Sequence, residues 1–393
     1  MIIIGKPEIK NIESKARLQT EIDIDGKKDV IWFEVEERFG EYLCYERCDA
    51  FVIALLNYAM RNAHDIKCMA PMGEDLHYQV STYLIDAVYK GSKVLHKTKI
   101  VAEIDSTDLP NANAVGTGIS NGIDSLYAIA THSNTPYKNH NITHLAFNNV
   151  GSHGEGERAV SLYNARKKKA REFAEEYGYE FIESNSNIHD VVQQNHLLTN
   201  TYTSCFAIYC MQKLYSVYYY ASAHAFIEFS LKDNEKYDTA FYDLLSLSVF
   251  STKDIKIFSQ GGTLTRLEKT KVVSNYLPSY KYLNVCTATA ENCSKCEKCT
   301  RTILALDAIG KLDNYSYVFD LKYYKENVQK YYSRLIFQRK QGNINYIELY
   351  PLLKDKIAFS SYLKGNVMGL KPKLISFIPR KLRLFIKKML GKK

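Results

Sequence analysis

The stretch from Ala112 to Ala130 constrains the fold most, because a short apolar run, a polar turn and a second apolar run follow one another directly. The run Ala114–Ile119 has the length and the small, apolar residues of a buried strand in a parallel sheet. The turn Ser120–Ser125 comes next, and Leu126–Ala130 is typical of a helix. A strand that turns tightly into a helix presents free backbone N–H groups, so the sequence predicts an anion-binding loop. The alternative is an ordinary strand-to-helix turn.

Strands and helices alternate from residue 112 to residue 259, which predicts an α/β fold with a parallel sheet and helices on both faces. Upstream, residues 17–37 read as a β-hairpin around Asp25-Gly26, and residues 49–104 read as an α-β-α-β unit. We therefore expect an N-terminal α+β extension that adds to the same sheet.

Two phosphate-binding patterns compete for the loop. A dinucleotide fingerprint requires glycine at position 121 and an acid at the end of the next strand, but Asn121 stands there and that strand ends at Asn148-Asn149. Residues 120–125 instead match Ser-Gly-Gly-x-Asp-Ser at five of six positions. This hexamer resembles the loop of N-type ATP pyrophosphatases, the PP-loop superfamily. Asn121 replaces the first glycine, and asparagine accepts a left-handed backbone more readily than most residues.

Four cysteines form the strongest motif, with the spacing C-x6-C-x2-C-x2-C. Four thiolates satisfy tetrahedral zinc and leave no open position for chemistry, so we expect a structural zinc knuckle that leads into a helix. An iron–sulfur cluster is the alternative, because four thiolates also suit it. The ligands are Cys286, Cys293, Cys296 and Cys299. Cys44 and Cys48 have no second pair nearby, and we expect them to be structural.

The loop and the knuckle together resemble 7-cyano-7-deazaguanine synthase and its relatives over residues 112–312. Val150–Glu155 loosely resembles the family's Tyr-Gly-Gln-Arg-His-x-x-Glu segment, and Thr265–Thr270 resembles its lysine-containing segment. The family's first cysteine gap is eight residues, whereas it is six here. The resemblance implies a Rossmann-like core in a divergent member of the family. Apart from the resemblance, a glycine directly after this strand brings bare backbone close to whatever binds at the sheet edge, which predicts that His153 and Glu155 reach a ligand. A flexible glycine-rich turn is an equal reading.

The activity that the resemblance implies is that of an ATP-dependent adenylating ligase or amidotransferase, which converts ATP to AMP and pyrophosphate. Lys269, Arg266 and Asp124 would be catalytic, with Asp124 an outer-sphere Mg²⁺ ligand or an organiser of the loop. A substrate carboxylate would react with ATP, and ammonia or an amine would then displace AMP, because nothing resembles a glutaminase. The loop residues that would hold ATP are Ser120, Asn121, Gly122, Asp124 and Ser125. The alternative function is a non-catalytic nucleotide-binding scaffold, in which Asn121 marks a degenerate loop.

The charge distribution limits the partners. The formal net charge is +9, yet residues 364–393 alone contain ten Lys or Arg and no acid. The rest of the chain is therefore near neutral, and we expect no nucleic acid partner. In 379–393, Leu382, Phe385, Ile386, Met389 and Leu390 form one apolar stripe among basic residues. This stripe predicts either contact with an anionic membrane surface or a helix packed on protein.

The sequence thus predicts four segments. They are an α/β extension at 1–111, a nucleotide domain with the knuckle at 112–312, a helical segment at 313–363 and a basic amphipathic tail at 364–393. Without a recognisable signal peptide or a long apolar run, we expect a cytoplasmic protein, with membrane association through the tail as an option. The membrane suggests a polysaccharide or related metabolite as substrate. A homodimer is a further option.

Overall fold

A computed structural model describes residues 1–152 and 157–368. The chain divides into two compact units between Val273 and Ser274. The predicted boundaries after residues 111 and 312 do not coincide with this division, because strands from 1–111 pair into the same sheet as those that follow. The predicted apolar stripe at 379–393 lies outside the described residues, as do His153 and Glu155, and the predicted basic tail at 364–393 is described only to residue 368.

The first unit contains thirteen strands and nine α-helices among the described residues. The strands are β1 (Ile2–Ile4), β2 (Glu8–Ile12), β3 (Lys15–Ile24), β4 (Lys27–Glu36), β5 (Ile66–Cys68), β6 (Met72–Gly73), β7 (Ile100–Val101), β8 (Ile104–Asp105), β9 (Ala114–Gly118), β10 (His144–Asn149), β11 (Glu180–Ser186), β12 (Tyr215–Ala221) and β13 (Lys256–Gln260). The helices are α1 (Asp49–Arg61), α2 (Glu74–Gln79), α3 (Ile85–Gly91), α4 (Ile123–His132), α5 (Glu157–Tyr177), α6 (Ile188–Val192), α7 (Asn200–Cys210), α8 (Asp243–Val249) and α9 (Arg266–Val273). A π-helical segment, Val80–Leu84, joins α2 to α3.

Eleven of these strands form one mixed sheet in the order β13-β12-β9-β10-β11-β4-β3-β1-β5-β7, with β2 paired to β3. The five strands from β13 to β11 are parallel to one another. Along the chain, β10 and β11 are added on one side of β9, and β12 and β13 on the other. The strand order therefore reverses at β9, the strand that enters the Ser120–Ser125 turn. The predicted α/β fold with a largely parallel central sheet is confirmed.

Helices cover this sheet on two faces, as consecutive residues of β12 illustrate. The ring of Tyr219 stacks on His132 at the end of α4, with ring centroids 3.8 Å apart. The next side chain back, Tyr218, lies in the hydrophobic cluster that includes Phe206 of α7 and Phe51 of α1. Because neighbouring side chains of a strand point to opposite faces, α4 and α7 lie on different sides of the sheet.

The predicted hairpin at 17–37 is present as β3 and β4, which pair in register from Lys15↔Glu36 to Ile24↔Lys27. β4 then joins the parallel half of the sheet, because it pairs antiparallel with β11. The N-terminal segment thus extends the sheet, as the sequence suggests.

The described part of the second unit is helical. Its helices are α10 (Ser279–Tyr282), α11 (Glu297–Ala308), α12 (Leu321–Lys340), α13 (Ile344–Leu353) and α14 (Phe359–Val367). Asp320 caps α12, since its carboxylate accepts a hydrogen bond from the backbone N–H of Tyr323. None of the helices in the described ranges combines the length and apolar character needed to cross a bilayer.

Candidate functional site

The turn after β9 forms a compact loop that leads into α4. Ser125 Oγ donates to the carbonyl of Gly122 at 3.1 Å and lies 3.2 Å from Ser120 Oγ. Gly122 is the N-cap residue and supplies no side-chain cap. The first backbone N–H groups of α4 have no acceptor within the helix, so this end of the helix can take up an anion.

Asn121 adopts the left-handed backbone that this turn needs, with φ of +56°. Its side chain is buried, and Oδ1 has no hydrogen-bond partner among the described residues. A buried acceptor without a partner costs free energy, so the loop has spare hydrogen-bonding capacity. Asn121 therefore supports the left-handed turn and places an amide in the loop.

An ion-pair cluster lies beside the loop. Asp124, in the first turn of α4, accepts a hydrogen bond from Arg266 Nη1 at 2.6 Å and another from Lys269 Nζ at 3.1 Å. Both cations belong to α9, which follows the most lateral strand of the parallel group, β13. The three side chains that the sequence predicts as catalytic are thus brought together at the carboxyl end of the parallel strands.

Their burial gives the two cations different roles. Burial alone would raise the pKa of Asp124, but the positive charges of Arg266 and Lys269 outweigh it and lower that pKa. Burial lowers the pKa of Lys269, a residue only 1% exposed, and its Nζ also donates to the carbonyl of Ser222 at 2.7 Å. The Arg266 side chain is 20% exposed. Arg266 can therefore contact a ligand, whereas Lys269 holds Asp124 in place.

Sequence reasoning missed a second carboxylate in this cluster. Asp243, the first residue of α8, is buried and accepts hydrogen bonds from Ser222 Oγ at 2.9 Å and Ser259 Oγ at 3.2 Å. Burial raises the pKa of Asp243 to about 6. Its signal in the sequence was weak, since one acid at the start of an apolar helix is common.

The raised pKa of Asp243 predicts how stability depends on pH. Between about pH 4 and pH 6 the folded chain keeps a proton on Asp243 that an unfolded carboxyl has released. This contribution to stability is therefore present below about pH 4 and is lost as the pH rises through 6. When the pH falls from about 7 to about 4, we expect the protonation of Asp243 to add up to about 3 kcal/mol to the free energy of unfolding of the wild type. The Asp243→Asn variant should lack this gain. Urea unfolding at both pH values measures this, and equal gains in both proteins would contradict it.

Two consecutive glycines, Gly261 and Gly262, pack closely against residues of the site just after β13. Gly261 has φ of +85°, and a Cβ there would lie 3.0 Å from both Lys269 Cε and the Tyr127 ring. At Gly262 a Cβ would come within 2.0 Å of the Phe226 ring. Two glycines directly after a predicted strand can indicate a tight turn beside a site, and the sequence analysis did not identify this pair.

His224 has a structural environment. Its ring stacks on Phe241 at 3.9 Å, and Nδ1 lies 3.6 Å from Glu228 Oε1. Glu228 and Phe241 also line a cavity of about 200 Å³, together with Tyr237 and Asp238. The cavity is near the ion-pair cluster, because Ser222 Oγ also donates to the carbonyl of His224.

Gly151, which follows β10 closely, packs against His189. Gly151 has φ of +106°, and a Cβ there would lie 3.0 Å from the ring of His189. Its lack of a side chain therefore makes room for His189. The polar residues at the end of β10 bond to β11, since Asn149 Nδ2 donates to Asn185 Oδ1 at 2.8 Å.

The four cysteines of the knuckle converge in the second unit. All four Sγ atoms lie within 4.8 Å of one another, and Cys286 Sγ is 3.8 Å from Cys296 Sγ. Backbone N–H groups point at the sulfurs, including that of Cys296 at 3.2 Å from Cys293 Sγ. Such N–H···S bonds stabilise thiolates, so the cluster could hold a metal ion such as zinc. Cys44 and Cys48 take no part in a metal cluster among the described residues.

Comparison with known proteins gives no match to this chain, whether with protein-family models, curated proteins or solved structures.

Proposed function

We propose that this chain is an ATP-dependent adenylating ligase of the PP-loop type, which releases pyrophosphate and acts on a carboxylate. One observation carries the proposal: the Ser120–Ser125 loop lies at the strand-order reversal, with Arg266 held against the first turn of α4. In open α/β sheets with a Rossmann-like order, ligands bind at the carboxyl ends of the strands where that order reverses.

The loop has the groups that a polyphosphate requires. Backbone N–H groups of the first turn of α4 point to the helix end, where the dipole favours negative charge. Ser120 can donate from its hydroxyl. Asn121 can present Nδ2 instead of its unpartnered Oδ1 after a half-turn of its amide, which would add a donor.

Arg266 supplies a positive charge that a ligand can reach. Its guanidinium keeps one contact with Asp124 and reaches the carbonyl of Ala223 at 3.4 Å, so it can offset charge on a leaving pyrophosphate. Lys269 acts indirectly, because its buried ammonium donates to Asp124 Oδ1 and to the carbonyl of Ser222.

The reaction requires two displacements. A carboxylate oxygen of the substrate bonds to the α-phosphorus, and the bond to pyrophosphate breaks with its electron pair on pyrophosphate. Ammonia or an amine then attacks the acyl carbon, AMP leaves with its electron pair, and the attacking nitrogen releases a proton. Exclusion of water by the loop and the Gly261–Gly262 turn would protect the acyl-adenylate.

Among the described residues, Asp124 and Asp243 do not offer an open Mg²⁺ site at this edge. Both oxygens of Asp124 accept hydrogen bonds from cations, and both oxygens of Asp243 accept them from serines. In this arrangement Asp124 acts as an organiser of the loop. The four cysteines of the second unit fit zinc, which would supply structural stability and no chemistry there.

Replacing Ser125 by alanine tests the loop. Because Ser125 Oγ bonds to Gly122 and Ser120, we expect Ser125→Ala to weaken ATP binding by about tenfold, the equivalent of one hydrogen bond. Calorimetry with ATP and Mg²⁺ measures the affinity. Ser133→Ala is a matched control, because Ser133 lies just after the other end of α4 and bonds to the carbonyl of Ile129. Equal affinity in the wild type and Ser125→Ala would refute the loop assignment.

Turnover separates the ligase from a nucleotide-binding scaffold. A panel of carboxylates with ammonium and ATP is scored for release of pyrophosphate. Release that depends on one carboxylate supports the ligase. ATP binding that never leads to pyrophosphate release supports the scaffold.

A further inference from the structure

Helix α14 packs in an unusual way, because its small residues face the protein and its large apolar residues face solvent. Ser361 and Gly365 are buried. A Cβ at Gly365 would come within 2.6 Å of both Ser333 O and Ile336 Cβ, so the helix lies very close to α12. Its exposed apolar side chains are Phe359, Tyr362, Leu363, Val367 and the adjacent Met368.

These exposed residues form one continuous face. Phe359, Leu363 and Val367 are spaced by four residues, which places them on one side of a helix. Phe359 is 75% exposed and Leu363 is 51% exposed. Exposed apolar patches of this kind usually mark a surface that contacts another phase or molecule.

A cavity of about 550 Å³ borders this face, and we call it the basic groove. Its lining includes Lys295, Lys330, Arg334 and Lys364, together with Val367 and Met368 from the apolar face. No acidic residue is among the described residues that line it. Arg334 is fixed there, because Nη1 donates to the carbonyl of Lys295 at 2.9 Å and to Thr300 Oγ1 at 3.0 Å.

The same side of the second unit therefore carries both four cations and a row of large apolar side chains. A small soluble anion would need only the cations. The chain's own continuation, 369–393, carries nine Lys or Arg and no acid, so its charge opposes occupation of the groove. A surface that offers closely spaced negative charges above an apolar layer matches both properties.

We propose that the basic groove and the apolar face of α14 form a docking surface for a bilayer of anionic phospholipid. Lipid phosphates lie in the groove beside Lys330 and Lys364. Phe359 and Leu363 enter the boundary between the headgroups and the acyl chains. This surface is separate from the predicted stripe at 379–393 and is independent of the proposed ATP chemistry.

Vesicle sedimentation of the full-length protein tests the surface. The vesicles contain equal parts of phosphatidylserine and phosphatidylcholine, and phosphatidylcholine alone is the neutral comparison. We expect Lys330→Glu with Lys364→Glu to weaken binding to the anionic vesicles by more than about tenfold. We expect Phe359→Ser with Leu363→Ser to weaken it by a similar factor, and added salt to weaken wild-type binding.

The matched control is Lys27→Glu with Lys322→Glu, which changes the net charge equally at exposed positions outside the groove. It should bind almost as the wild type does. Residues 369–393 are the same in every variant, so any contribution that they make to vesicle binding cancels in the comparison. Unchanged binding in either test pair, or equal loss in the control pair, overturns the proposal. A dimer that Phe359→Ser dissociates, without vesicle binding, overturns it in favour of self-association.

Discussion

Replacing Cys296 by serine is expected to remove the metal from the second unit and to unfold that unit. The four sulfurs lie within 4.8 Å of one another, so together they could hold one metal ion. Structural zinc contributes about 10–16 kcal/mol in small zinc-finger peptides, which exceeds the stability of most domains. Elemental analysis should find one zinc per wild-type chain and almost none in Cys296→Ser. Thermal unfolding should show the loss of the transition of the second unit.

A cysteine outside the cluster provides the control for this experiment. Cys68 is buried in the first unit, so Cys68→Ser should keep its zinc whatever its effect on the stability of that unit. If elemental analysis finds iron and the protein absorbs visible light, the site holds an iron–sulfur cluster instead of zinc. A wild-type chain that contains no metal would contradict the site altogether.

Replacing Asp124 by asparagine is expected to lower the free energy of unfolding of the first unit by about 3 kcal/mol. The reason is that Lys269, which is buried, would lose the carboxylate that accepts its hydrogen bond. Adding Lys269→Met removes the unpaired charge, so the double variant should recover most of this loss. Urea unfolding of the wild type, the two single variants and the double variant gives the coupling free energy.

ATP affinity in the same variants distinguishes stability from function. If the loop binds phosphate, the double variant should regain stability but not ATP affinity. Arg266→Gln should weaken ATP binding by about 10- to 100-fold, because it removes one charged hydrogen bond. Arg38→Gln is the matched control, since Arg38 forms an exposed ion pair with Glu180. If the double variant and Arg266→Gln both bound ATP with the affinity of the wild type, the proposed site would be wrong.

The parallel half of the sheet could be predicted because its elements alternate regularly in the sequence. The strand at 114–119 and the helix after it appear as β9 and α4 with shifts of only a few residues. The order of the strands could not be predicted. The pairing of β4 with β11 joins residues about 150 positions apart, and no local pattern encodes such a contact.

The candidate site was predictable where one short segment contains the signal. The hexamer 120–125 and the four cysteines each lie within fourteen residues, and their chemistry follows from residue type and spacing. Asp243 was not predictable, because its role depends on burial beside Ser222 and Ser259. The ion pairs of Arg171 with Glu36 and Glu183 were not predictable either, because they join a helix to two strands distant in the sequence.

The pairing of β4 with β11 covers one edge of the parallel half of the sheet. β11 would otherwise end the parallel sheet with a row of unpaired N–H and C=O groups, the kind of edge through which chains aggregate. Three residue pairs and the Arg171 bridge hold the hairpin on that edge, and Phe33 of the hairpin packs against Phe206 at 5.8 Å. A fragment that begins at residue 112 would expose both the edge and this apolar surface. The hairpin of β3 and β4, which precedes the parallel strands in the chain, therefore covers the edge through which the parallel half of the sheet could misassemble.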